Sequence, residues 1–125
     1  MNNVPDKAKI IELVKHLNDN PDKLHNDITP CVLELGKMET YLIVPFLETA
    51  LNSSDENTRL HAQRALEYSF AHNSGFVIGQ GWANPKGEEM YEQTWFLNGN
   101  YKYDAPREDR KKSIQKWLRW AVVID

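Results

Sequence analysis

The chain has 125 residues and a mass of 14.5 kDa, the size of one domain with one core. Its net charge is −3, with 41% hydrophobic and 26% charged residues, so bulk binding to nucleic acid or to an anionic membrane is not expected. Cys31 is the only cysteine, which excludes an intrachain disulfide and a cysteine-based zinc knuckle.

The opening Met1-Asn2-Asn3-Val4-Pro5 has neither a basic n-region nor an apolar h-region. No run approaches the roughly 18 apolar residues of a membrane span, so a cytoplasmic protein is the expectation. Ile10, Leu13, Val14 and Leu17 form one apolar stripe and predict a helix over 6–18, with Pro5 as a tolerated first-turn proline. Asn18-Asp19-Asn20-Pro21-Asp22 ends it. Ile28, Cys31, Val32, Leu35 and Met38 repeat the pattern over 27–38, with Asn26 or Asp27 as cap and Cys31 in the core. Ile43, Phe46, Leu47, Ala50 and Leu51 predict a helix over 41–52, in which Pro45 is expected in the first turn.

Ser53 and Glu56 fit a capping box for a helix running to about His72. Its stripe of Ala62, Ala65, Leu66, Ser69 and Phe70 is half small residues, so a neighbour can approach closely and this helix is expected to be central. Gly75, Gly79, Gly81 and Pro85 mark a loop over 73–85. Its glycine spacing fits no phosphate-binding pattern, and its apolar Phe76, Val77, Ile78 and Trp82 suggest a loop pinned across the core. Phe76-Val77-Ile78 is the one short strand candidate. Helices follow at 86–97, with Met90, Tyr91, Trp95 and Leu97, and at 106–122, with Ile114, Trp117, Leu118 and Ala121.

Shifting residues 27–52 by about 31 places Cys31 on Ala62 and Leu35 on Leu66, while the second half of the shift lands on the glycine loop, so one helix pair and a second helix of the same kind repeat. Leu35-Gly36-Lys37 closes a first helix and Leu42-Ile43-Val44-Pro45-Phe46-Leu47 opens a second. Asp55-Glu56-Asn57-Thr58-Arg59-Leu60-His61-Ala62-Gln63-Arg64-Ala65-Leu66 then opens the next unit. Over residues 26–72 this pattern resembles the HEAT-repeat superfamily in its short form of about thirty residues. Arg107 to Trp120 is similar to tails that follow such repeats in small bacterial proteins. The resemblance implies an α-α superhelix and, most often, a protein-binding scaffold, with occasional enzymes.

Few residues suggest chemistry. His61 and His72 are eleven apart on one helix, and His16 and His25 have no ligand spacing, so surface or helix-end histidines and no metal are expected. Glu88, Glu89 and Glu92 form an acidic patch suited to a basic partner. Asp55 and Glu56 make a second acidic site, which helix stacking would bring to the same rim. Arg107, Arg110, Lys111, Lys112, Lys116 and Arg119 crowd the last helix and interleave with Trp117 and Trp120. They read as a solvated face, with nucleic-acid binding or pairing with the acidic helix as lesser alternatives.

The expected fold is one all-α domain over 1–125, a HEAT-like α-α superhelix of about six helices. Its core is placed at 26–72, its irregular Gly-rich loop at 73–85, and a Trp-rich C-terminal helix pair at 86–125. The expected function is non-catalytic binding of one basic protein partner, through Asp55, Glu56, Trp82, Glu88, Glu89 and Glu92. Its most concrete form is a small acidic cytosolic inhibitor such as a bacterial toxin-immunity protein, with no catalytic residue and no cofactor. The alternatives are a general scaffold or adaptor, or a helical-repeat enzyme of lyase or nucleic-acid glycosylase type. The enzyme would need a cleft with Asp55 or Glu88 near Trp82.

Overall fold

A computed structural model describes residues 7–124; Pro5, read as a first-turn proline, lies outside them. The described residues are mainly helical, with six α-helices and one two-stranded hairpin. Helix α1 (Lys7–Lys15) buries Ile10 and sets Leu13 and Val14 against the core. The linker that follows is pinned by Asp22, whose Oδ1 accepts from the amides of Leu24 and His25. Thr29 then does two things: its hydroxyl donates to the Leu17 carbonyl at 2.6 Å and accepts from the Val32 amide.

Thr29, not Asn26 or Asp27, is therefore the cap of α2 (Pro30–Leu35). The helix starts later than the apolar pattern predicts because Pro30 fits its first position and Thr29 can cap it. Val32 and Leu35 are buried, while Cys31 is only half-buried, a correction to its expected core position. Helix α3 (Thr40–Leu51) begins one residue earlier than expected, and Pro45, its sixth residue, lies in the second turn and not in the first. It removes one intrahelical bond there, but its ring is exposed, and the opposite face buries Ile43, Val44, Leu47 and Leu51.

Helix α4 (Glu56–Asn73) carries the small stripe, and Ala62, Ala65, Leu66, Ser69 and Phe70 are all buried. The predicted capping box at Ser53 is replaced by a cap at Asp55, whose Oδ2 accepts from the Thr58 amide and hydroxyl. Ser53 instead accepts from the Asp55 amide and so orients the cap. Polar pins join α4 to the start of α3: Ser69 Oγ donates to the Met38 carbonyl, and Asn73 Oδ1 accepts from the Thr40 amide and hydroxyl.

The expected Gly-rich loop is a small antiparallel hairpin of β1 (Phe76–Val77) and β2 (Gly81–Trp82), with Phe76 opposite Trp82. The Gln80 amide donates to the Val77 carbonyl across a turn in which Gly79 has φ 85°, a conformation that favours glycine. Asn84 caps α5 (Pro85–Leu97) by accepting from the Gly87 amide. Gly87 has to be glycine, because a Cβ there would sit 2.1 Å from the Ser74 carbonyl oxygen. Met90 and Leu97 face outward, so only Tyr91 and Trp95 of the predicted α5 stripe turn inward.

Helix α6 (Arg107–Ile124) buries Ile114, Trp117 and Ala121. It packs mainly along α3 and meets α5, its expected C-terminal partner, through the rings of Trp95 and Trp117. Side by side lie α1 with α3, α2 with α4, and α3 with α6. Helix α5 reaches this body through rings: Trp95 meets Trp117 at 5.4 Å, and Tyr91 meets Phe70 at 5.6 Å. Among the described residues, no helix is long and apolar enough to cross a membrane.

Candidate functional site

The hairpin leans on α4 and leaves an apolar cavity on each side of Phe76. The first, of about 210 Å³, lies between α2, α4 and β1 and is lined by Leu33, Lys37, Tyr68, His72, Val77 and Ile78 with Phe76 itself. The second, of about 280 Å³, is lined by Arg64, Glu67, Tyr68, Phe76, Trp82 and Tyr91. Two facts of local folding create them. The two-residue strands hold Phe76 and Trp82 opposite each other with rings 5.2 Å apart, and Trp82 rests 5.4 Å from Tyr91. The hairpin tip then overhangs: Val77 is 44% and Ile78 63% exposed. The reading of a loop pinned across the core is thereby corrected, because only the aromatic pair is pinned and the tip is open.

The floor of the second cavity is charged and internally paired. Arg64 donates through Nε to Asp27 Oδ2 at 2.6 Å and through Nη1 to Glu67 Oε1 at 2.8 Å. Glu67 Oε2 also accepts from Gln63, whose own Oε1 accepts the Tyr103 amide. The hydrogen bond from Arg64 holds the Asp27 carboxyl below the usual carboxylate range. Burial pushes the Tyr91 hydroxyl far above the ordinary tyrosine value, and raises that of Tyr68. A carboxylate committed to a guanidinium is a weak base, and a tyrosine with a raised pKa keeps its proton. Glu67, the acid that lines the second cavity, is ion-paired with Arg64.

Of the expected partner-binding residues, Trp82 lines the cleft, and Glu88, Glu89 and Glu92 stand exposed along the start of α5. Asp55 and Glu56 lie elsewhere. They begin α4, whereas Gly87, next to Glu88, abuts Ser74 at the other end of α4. Eighteen helical residues intervene, a span of about 27 Å, so the two acidic sites do not share a rim. Asp55 is moreover occupied as a cap, and its bonds to Thr58 hold its carboxyl below the usual range. Neither Asp55 nor Glu88 is among the residues that line the Trp82 cavity.

The histidine expectation needs one correction. His61 is fully buried, not at the surface, with Nδ1 2.5 Å from Asn18 Oδ1 and Nε2 3.2 Å from the Asn26 carbonyl. Asn18 is in turn oriented by donating to Thr58 Oγ1. The ring is a tie between the α1–α2 linker and α4. His72 is exposed on the rim of the first cavity.

Sequence reading missed Tyr68, Arg64, Glu67 and Asp27 as site residues. The Arg64–Glu67 spacing on a helix was a visible signal, but Asp27 is 37 positions from Arg64 and only the packing of α2 on α4 brings them together. Comparison with known proteins finds no match to a family model, a curated protein or a solved structure.

Proposed function

We propose that this chain is a non-catalytic protein-binding module whose docking surface is the hairpin face. The carrying observation is the open tip, Val77 and Ile78, standing over two apolar cavities beside the exposed Glu88, Glu89 and Glu92. Exposed apolar side chains beside a preformed socket supply affinity, and a flanking acidic ladder supplies steering toward a basic partner. The most concrete form is a small cytoplasmic inhibitor of one basic protein, such as a bacterial toxin-immunity protein. The HEAT-like reading is part of this proposal. It draws support from the side-by-side placement of helices two apart in sequence, α1 with α3 and α2 with α4, which is how stacked helix pairs pack. In it, α6 takes the place beside α3 that a regular second repeat would give to the helix after α4.

The experiment is site-specific photo-crosslinking in the native host, with the reactive residue at Ile78 or, as a control, at the exposed Lys23. A single basic protein captured at position 78 and not at 23 supports the proposal. Equal capture at both positions, or none at 78, refutes it.

A further inference from the structure

Helix α6 carries a surface of opposite charge. Lys112, Lys116 and Arg119 follow the spacing i, i+4, i+7 along one exposed face of α6, a span of about 10 Å. Among the described residues, none of them, nor Lys111, is in an ion pair. Pairing with the acidic start of α5 is not found: Glu88, Glu89 and Glu92 are themselves exposed. Beside these cations runs an open apolar groove of about 510 Å³, lined by Leu97, Trp120 and Val123 with Lys116 and Arg119 on its wall. Leu97 is 69% and Val123 82% exposed. Large aliphatic side chains left in water next to a row of unpaired cations mark an interaction surface.

We infer that this groove binds an acidic amphipathic helix of a second partner protein. Its acids, spaced three or four apart, pair with Lys112, Lys116 and Arg119, and its apolar edge covers Leu97, Trp120 and Val123. Charge complementarity selects this occupant. A basic partner, which the hairpin face suits, is repelled here. Nucleic acid is disfavoured because stacking needs an accessible ring, whereas Trp120 is half-buried against Phe70 and Trp117, with ring centroids 5.5 and 5.2 Å away. Glu108 and Asp109 close the far end of the stripe and would repel a continuing phosphate backbone. The molecule then has two docking faces of opposite polarity, one on the hairpin and one on α6.

The test selects peptides from a random phage-displayed library on the full-length chain. The best peptide is then measured by fluorescence anisotropy against wild type, Lys116→Glu with Arg119→Glu, Leu97→Asp, and Ile78→Glu. Oligothymidylate and phosphatidylserine vesicles serve as competing probes. Enriched peptides should carry Asp or Glu three or four apart with apolar residues between. Their Kd should rise at least about tenfold in the charge-reversed variant and in Leu97→Asp, with unchanged far-UV circular dichroism. Ile78→Glu should leave this binding unchanged, which separates the α6 face from the hairpin face. Enrichment of neutral or basic peptides, no enrichment, or undiminished binding to the charge-reversed variant overturns the inference. So does oligothymidylate or vesicle binding that outcompetes the peptide.

Discussion

The ring of Trp82 sits 5.4 Å from that of Tyr91, centroid to centroid, and this contact joins the hairpin to α5. Tyr91 in turn meets Phe70 of α4, so three rings carry the site onto the core helix. Replacing Trp82 by Ala removes both its contact with Tyr91 and its contact with Phe76. Because Trp82 is half-buried, the cost is about 1–3 kcal/mol, less than for a fully buried tryptophan. A lower urea midpoint, together with faster amide exchange confined to the hairpin and the start of α5, is the expected result.

Ala65 is fully buried on the small face of α4, against which α2 and α3 both pack. Ala65→Leu adds volume where neighbours are already in contact, and about 1–3 kcal/mol of stability should be lost. Chemical denaturation measures it, and an unchanged midpoint would mean that the helix contact can yield.

The core was readable because its periodicity is strong. Leu35, Leu47 and Leu66 fall where a 3.6-residue stripe puts them, and all are buried. Caps were harder, because Ser53, Asp55, Asn26 and Thr29 are all chemically able to cap and only the chain path decides among them. Of the hairpin, the first strand is legible in Phe76-Val77-Ile78, but its partner Gly81–Trp82 is too short to show alternation. The sequence singles out Trp82, which lines a cavity, and the acids of α5, which are exposed. Asp27 with Arg64 was not legible, since it depends on a contact across 37 positions. The distance between Asp55 and Glu88 was misjudged for a related reason: sequence does not tell which end of α4 the next helix returns to.

His61 is fully buried, and its ring lies between Asn18 Oδ1 and the Asn26 carbonyl. His61→Ala removes the ring that ties the α1–α2 linker to α4 and opens a cavity, which should cost about 2–4 kcal/mol. Loss of order should begin in residues 16–29, seen as early proteolysis there, while the hairpin keeps its exchange protection.

Stability should decline on both sides of a plateau between roughly pH 4.5 and 6. On the acid side, Asp27 is lowered by its bond from Arg64 and Asp55 by its bonds from Thr58. Folded values below the unfolded ones mean stabilisation present above the unfolded pKa and lost as pH falls through the folded pKa. On the alkaline side, His16 is raised by bonds to Asp19 and Glu12. Its contribution is full below the unfolded pKa and fades as pH rises through the folded one. His16 and Asp55 are exposed and Asp27 is half-buried, so solvent screening keeps the effects of the first two small. Thermal midpoints across this range check the signs: Asp27→Asn should flatten the acid limb and His16→Gln the alkaline one.

The most direct measurement of the hairpin-face proposal is the association rate of the protein captured at Ile78, for wild type and for Glu88→Lys with Glu92→Lys, as salt is raised. Both glutamates are exposed, so the folded state should be unchanged. The variant should associate more slowly at low salt, with the difference shrinking once charges are screened beyond about 8–10 Å and the dissociation rate nearly constant. Equal association rates at low salt would contradict an acidic docking face beside the hairpin.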